Sequence, residues 1–334
     1  MTERLPRLQQ HTAATRLAVR EVLGASNPPT GSLVLVALSG GADSLALAAA
    51  TAFEADKAGL RAGAIIVDHG LQPGSAAVAE RAADSARALG LDPVEVRRVS
   101  VGTAGGPESA ARDARYAALR EAADAHGAHR ILTGHTLDDQ AETVLLGLAR
   151  GSGTGSLQGM RPDTGEILRP LLAVRRSETL AACAEAGLTP WQDPHNADPA
   201  YRRVRVRERV LPLLETELGP GIAEALARTA EQSREDEDSF AEMIEEFIEE
   251  IVEPAEAGIA VLVSALEANP PALRQRIIRL VAKAEFGVSL SRQHTLEIAK
   301  LVTGWTGQGE IHVPGIRVKR ADGRLRFRAV GSAE

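Results

Sequence analysis

The chain has 334 residues, 44% hydrophobic, 25% charged and only 3% aromatic, with a net charge of −7. That length suffices for one large domain or two ordinary ones, with cores built mainly from Ala, Leu, Val and Ile. The single cysteine, Cys183, excludes an internal disulfide and any multi-cysteine metal or iron–sulfur site, and is expected to be a small buried residue on the helix TLAACAEAG.

No apolar run reaches the roughly 18 residues of a membrane span. The N-terminal MTERLPRLQQ has no apolar signal core, so a cytoplasmic protein without a membrane partner is expected. The negative total hides segregation. Positive charge gathers between Arg161 and Arg209, where YRRVRVRERV carries five arginines, and EQSREDEDSFAEMIEEFIEE carries much of the opposing charge.

An N-terminal helix, HTAATRLAVREVL, leads through the loop ASNPPTGS into strand-length apolar runs LVLVAL, AGAIIVD, PVEVRRV and RILTG. Between these runs lie helical segments at Asp43–Lys57, Ala76–Leu89 and Ser109–His126. This alternation predicts an α/β fold, a parallel sheet with helices on both faces and ligands outside the carboxyl ends of the strands. Gly151–Gly165 reads as a loop. Beyond Pro212 the pattern turns helical with little strand signal, and WTGQGEIHVPGIRVKRADGRLRFRAV predicts two or three short C-terminal strands. The boundary expected is residues 1–217 for a catalytic domain, with 218–334 a smaller, mainly helical one ending in a β element.

In LVLVALSGGADSLALAAA a strand meets a Ser-Gly-Gly turn and then a helix. Gly40 and Gly41 permit positive φ and close backbone approach, and the helix N-terminus favours an anion. Ser39 and Ser44 add hydroxyls. Asp43 would repel phosphate unless it caps the helix or shares Mg²⁺ with phosphate oxygens. The GxxxxGK[ST] lysine is absent, which disfavours γ-phosphoryl transfer of that type.

A second cluster lies in RILTGHTLDDQAETVLLGLARGSG. Asp139 and Glu142 share a helical face with His135 in the turn before them, an acidic pocket suited to Mg²⁺ or a cationic amine. In ESAARDARYAAL, Arg112 and Arg115 are placed to clamp phosphates. As a regular helix, the basic segment would align Arg202, Arg205 and Arg209, pack Val206 and Val210, and contact RNA phosphates in a salt-sensitive way. The competing reading pairs these arginines with the acidic 231–250 stretch.

SGGADS resembles the SGGxDS signature of the N-type ATP pyrophosphatase, or PP-loop, superfamily, which implies binding of ATP and cleavage between its α and β phosphates. Together with VDHGL (67–71), ARDARYAAL (111–119), GHTLDDQAETVLLGLARGSG (134–153), LRPLL (168–172), DPHNADPAYRRVRVRERVLPLL (193–214), GWTGQGEIHVPG and GRLRF, it is similar to the tRNA(Ile)-lysidine synthase family over most of the chain.

The resemblance implies an adenine nucleotide α-hydrolase-like, Rossmann-like catalytic domain. The implied reaction adenylates the wobble cytidine of the CAU anticodon of tRNA(Ile), after which L-lysine displaces AMP to form lysidine. Ser39, Gly40, Gly41, Ala42, Asp43, Ser44, Asp68 and Gly134 would bind ATP, with Asp43 toward Mg²⁺. Arg115 would neutralise phosphate, and His135, Asp139 and Glu142 would hold the lysine. Arg202, Arg203, Arg205, Arg207 and Arg209 would meet the tRNA. A homodimer is left open. The chain departs from the family at Thr136, where a second histidine is common, and at Val204, which replaces Asn near the implied RNA face. Other readings are a 2-thiolating PP-loop enzyme, which the lone cysteine fits badly, a small-molecule amide ligase, and a nucleotide-binding regulator.

Overall fold

The computed structural model describes residues 9–331 except 71, 73, 103–105, 152–153, 195–197 and 256–257. The chain divides into two compact units, one comprising the residues up to Leu146 with Gly159–Ala230, the other Gly147–Gln158 with the residues from Glu231 onward.

In the first unit α1 (Gln10–Ser26) precedes β1 (Leu33–Ala37), α2 (Ala42–Lys57), β2 (Arg61–Asp68), α3 (Ser75–Ala88), β3 (Val94–Arg98), α4 (Pro107–His126), β4 (Ala128–Thr133) and α5 (Leu137–Arg150). A short β5 (Ile167–Leu168), α6 (Arg176–Glu185), α7 (Arg202–Arg205) and α8 (Leu211–Leu218) follow. The five strands are parallel, in the order β3-β2-β1-β4-β5. The predicted parallel sheet is therefore present, with β5 added at its edge.

Strand alternation divides the core into two layers. Leu33, Leu35, Ala37, Ile65, Ile131 and Ile167 pack with Leu119, Ala122 and Ala123 of α4. Val34, Val36, Ala64, Ile66, Leu132 and Leu168 pack on the other face against α1, α2, α3 and α6, where Cys183 is buried as expected. The nearly continuous apolar strands follow from this double coverage. Chain order reverses between β1 and β4, so the segments leaving their carboxyl ends diverge and open a crevice.

In the second unit α9 (Ile222–Glu245) enters from the first unit and is followed by α10 (Ile248–Ile251), β6 (Val252–Ala255), β7 (Gly258–Leu262), α11 (Val263–Ala268), α12 (Pro271–Phe286) and α13 (Arg292–Thr303). The chain closes with β8 (Ile311–Val313), β9 (Ile316–Ala321) and β10 (Arg324–Ala329). The C-terminal strands agree with the sequence pattern, but β6 and β7 correct it. They complete an antiparallel sheet, β6-β7-β10-β9-β8, in which β7 pairs with β10 from Arg324↔Leu262 to Arg328↔Gly258. A partner more than sixty residues away supplies the order that a local reading of IAVLV could not. Pro254 is accommodated because β6 is an edge strand.

Among the described residues no helix is long and apolar enough to cross a membrane.

Gly63 of β2 faces Leu35 of β1, and a Cβ there would lie 2.5 Å from the Pro93 carbonyl oxygen and 2.8 Å from Leu35 Cδ2. Gly63→Val should cost about 1–3 kcal/mol of stability by overpacking, read as a lower urea midpoint. An unchanged midpoint would show that the backbone around Pro93 yields freely.

Candidate nucleotide and RNA site

At the carboxyl end of β1, Gly40 takes φ +82°, a conformation that glycine adopts without steric cost, and Gly41 caps α2. The first helical hydrogen bond runs from Leu45 N to the Gly41 carbonyl at 3.0 Å, so the amides of Ala42, Asp43 and Ser44 precede the intrahelical ladder. The Ser44 hydroxyl accepts from Ser39 N (3.2 Å), donates to Gly41 O (3.0 Å) and lies 3.1 Å from Ser39 Oγ, which holds the turn in shape. Gly134, leaving β4, packs on this turn so closely that a Cβ would meet the Asp43 carbonyl at 3.0 Å. That approach explains the glycine and brings the two carboxyl-end segments together.

Asp43 does not cap the helix. It is the second residue of α2, and its carboxylate turns to Thr179 and Arg176 of α6. Burial pushes its pKa up, against the Thr179 hydroxyl and the Arg176 charge.

Thr136 and Asp139 close a reciprocal cap on α5. Asp139 Oδ2 accepts from Thr136 N (2.9 Å) and Thr136 Oγ1 (2.8 Å), and Thr136 Oγ1 lies 3.4 Å from Asp139 N. Thr136, the departure from the family pattern, is thus a buried capping residue. Burial alone would raise the Asp139 pKa, but Arg176, the Thr136 amide and Arg203 outweigh it and hold this carboxyl below its ordinary range.

Glu142 has no exposed surface and lies one turn deeper. Arg203 Nε donates to Oε2 at 2.8 Å, Arg207 Nε to Oε1 at 2.7 Å, and Arg176 Nη1 reaches Oε1 at 3.4 Å. Arg176 also donates to Asp139 Oδ1 at 2.9 Å and Asp43 Oδ2 at 3.4 Å. Three carboxylates and three guanidiniums therefore share one cluster. The sequence reading did not include Arg176 or Thr179; only the basic stretch from Arg161 to Arg209 pointed toward the former.

The basic segment is not a regular helix. Between α7 and α8, Val206–Val210 forms a π-helical turn, which alters which residues share a face. Val204 becomes the buried valine and Val210 is 40% exposed, so the predicted packing at 210 is replaced by packing at 204, and position 204 is a core site and not an RNA-facing one. Arg203 and Arg207 turn inward onto Glu142. Arg202 and Arg209 remain exposed, while Arg205 donates to the Pro199 and Ala200 carbonyls.

Two cavities meet above the sheet. One, about 520 Å³, is walled by Ile65, Ile66, Val67, Val78, Ala79 and Leu119. The other, about 720 Å³, is lined by residues including the 41–44 turn, Gly134, His135, Asp139, Arg176 and Arg207. They share Ala37, Ser39, His69, Arg115, Asp193 and Trp191, and the Trp191 amide donates to the Gly40 carbonyl at 2.9 Å. Asp68 lies under the first cavity, accepting from Gly70 N at 2.9 Å and shaping that wall.

Arg115 makes no hydrogen bond or ion pair among the described residues, and burial together with Arg112 lowers its pKa. His135 touches Thr133 Oγ1 through Nδ1 at 3.0 Å. Burial, with Arg115, Arg169 and Arg203, drives its pKa down to about 3 despite Asp139, so the ring is neutral near pH 7. Among the described residues no group of three or more His, Cys, Asp or Glu side chains forms a metal-binding cluster.

A PP-loop domain family model matches residues 14–214, and a TilS substrate binding domain model matches 262–326. A tRNA(Ile)-lysidine synthase of Leifsonia xyli is 63% identical over 94% of this chain and 97% of its own length. The enzyme of that name from Streptomyces coelicolor is 53% identical over 90% of this chain and 86% of its own. Among solved structures, a U34-tRNA thiolase from Methanococcus maripaludis shares the fold, with a TM-score of 0.58 at 20% identity over 67% of this chain and 80% of that one. With matches at this level running through both the loop-bearing unit and the C-terminal sheet, the chain belongs to the tRNA(Ile)-lysidine synthase family.

Proposed function

We propose that this chain joins L-lysine to C2 of the wobble cytidine in the CAU anticodon of tRNA(Ile) through an adenylated intermediate. The observation that carries the reading is Arg115, a cation without a counter-ion standing where the two cavities join. A partly buried guanidinium with no ion pair among the described residues is favourably placed for an anion, and its position suits the phosphate being transferred between a nucleotide in one cavity and an acceptor in the other.

The smaller cavity takes the adenosine between its apolar walls. The amides at the start of α2 face the β and γ phosphates, and Arg115 neutralises the α-phosphate. The cytidine enters the larger cavity, its C2 carbonyl oxygen bonds to the α-phosphorus, and pyrophosphate leaves. The ε-ammonium of lysine releases a proton to solvent, the neutral amine bonds to C2, AMP departs with the former carbonyl oxygen, and the new C–N nitrogen releases a second proton to solvent.

Asp43 lines the larger cavity beside the Ser39–Ser44 turn and would hold Mg²⁺ in place of its contact with Arg176, since Mg²⁺ is commonly held by one or two carboxylates plus phosphate oxygens. When bound it would offset pyrophosphate charge. Of the two lysine-site carboxylates inferred from sequence, Asp139 lines the cavity and Glu142 lies behind it. Asp139 therefore meets the ammonium, and Glu142 acts through the three arginines it holds. His135, kept neutral, serves as a hydrogen-bonding group and is too weak a base to take the amine proton. Arg202, Arg205 and Arg209 are the members of the basic segment assigned to RNA phosphates.

Purified protein with ATP, Mg²⁺, labelled lysine and CAU-bearing tRNA(Ile) transcript should transfer label to the RNA, and a methionine-CAU transcript should stay unlabelled. Excess chelator should stop the transfer. Label in both RNAs, or in neither, would overturn the assignment, and transfer in chelator would remove the metal.

Asp139→Asn should raise the lysine KM at least about tenfold, the scale of one charge-assisted contact, and change the ATP KM little. Glu142→Gln should instead lower stability by roughly 1–3 kcal/mol, by leaving three partly exposed guanidiniums short of their one fully buried carboxylate. Equal KM effects for both substrates, or no loss of stability in the second variant, would reverse these roles.

His135 also predicts a pH dependence. Its folded pKa of about 3 lies below the ordinary 6.5, so between these values the unfolded chain binds a proton that the folded chain does not. The associated stability is complete above about pH 6.5 and declines by up to ~1.4 kcal/mol per pH unit as pH falls. His135→Gln should flatten urea midpoints between pH 7 and 5; identical acid slopes in both proteins would contradict a buried neutral ring.

A further inference from the structure

We propose that an open groove beside the larger cavity holds the nucleotide adjacent to the wobble cytidine in the same RNA strand. This inference rests on the RNA substrate assigned above and adds a subsite to it.

The groove measures about 460 Å³ and is lined by α4 and the segment around β5, including Arg112, Tyr116, Arg120, Thr164, Glu166 and Arg169. Arg112 and Tyr116 line the larger cavity as well, so a single layer of side chains separates the two spaces. A polymer whose cytidine enters the cavity must place a neighbouring nucleotide outside it, and this groove adjoins it directly.

The charges in the groove are unbalanced in a way that asks for an anion. Arg120 is paired with Glu166 at 3.0 Å. Arg112 and Arg169 have no ion pair among the described residues. Arg169 is only 8% exposed; Nη1 donates to the Arg161 carbonyl at 2.7 Å, while the buried Nε has no hydrogen-bond partner. A guanidinium so placed loses hydration without gaining a carboxylate, and a phosphate at the groove would supply the missing charge. Asp113, the other carboxylate lining the groove, is exposed and makes no ion pair among the described residues.

A base-stacking surface lies beside these cations. The exposed Arg112 guanidinium sits 5.0 Å from the centre of the Tyr116 ring. Arginine planes and tyrosine rings both stack on unpaired bases with little sequence preference. The pair therefore offers a platform for the neighbouring base while the arginines take its phosphate. Arg112 thereby becomes a contact to the RNA strand, and Arg115 alone of the two helix arginines is assigned to the ATP phosphates.

The test uses the full chain and a CAU anticodon stem-loop with a photoreactive nucleotide on either side of the cytidine, 4-thiouridine 5′ or 8-azidoadenosine 3′. One of the two should cross-link within peptides spanning 109–120 or 161–169. Cross-links from both that map only elsewhere would overturn the proposal. Arg112→Ala and Arg120→Ala should each raise the tRNA KM about tenfold, lower the salt slope of binding by about one, and leave the ATP KM within about twofold. A rise confined to the ATP KM in Arg112→Ala would return that residue to ATP and refute the groove. If the unaltered chain forms lysidine but both variants match it, the subsite alone is wrong; if the unaltered chain forms none, the enzymatic reading is what fails.

Discussion

Asp43, Asp139 and Glu142 are brought out of bulk water together, and three like charges in one crevice would repel unless opposed. Arg176, Arg203 and Arg207 oppose them one for one, through contacts that tie α2, α5, α6, α7 and the π-helical turn to one another. Desolvating an ion pair is costly, and the Coulombic return depends on completeness and geometry. Arg176, contacting all three carboxylates, is the member whose placement completes the set. The Ser39–Ser44 turn and the second acidic cluster are thereby coupled electrostatically as well as sterically, through the close approach of Gly134 to Asp43.

A balanced cluster leaves the remaining charges of the crevice free for ligands. Arg115 has no ion pair among the described residues and lines both cavities. Burial, with Arg115, Arg169 and Arg203, keeps His135 neutral, so it meets the cavity as a polar, uncharged side chain. The acidic appearance of the DDQAE segment is similarly altered: Asp139 reaches the cavity, whereas Glu142 is enclosed by guanidiniums.

The two departures from the family pattern acquire local explanations. Thr136 satisfies the start of α5 by exchanging hydrogen bonds with Asp139, a task for a hydroxyl. Val204 fills a buried position created by the π-helical register, where an apolar side chain avoids an unsatisfied amide. Arg203 and Arg207 share one carboxylate while Arg202 and Arg209 stay in solvent. The i,i+4 spacing of Arg203 and Arg207 already puts them on one helical face; what the spacing does not tell is that this face turns inward onto Glu142.

By itself the sequence determined the glycine turn between β1 and α2, the alternating strands and helices of the parallel sheet, the C-terminal strand pattern and the convergence of Asp43, Arg115, His135 and Asp139 on one crevice. These depend on local periodicity, glycine conformation and the rule that parallel strands direct their carboxyl ends to one side. Tertiary structure alone decided the pairing of β7 with β10, the central place of Arg176 and Thr179, the inward turn of Arg203 and Arg207, and which carboxylate faces the cavity. Those outcomes join residues from about thirty to more than a hundred positions apart, and they are set by charge compensation and burial that no local pattern encodes.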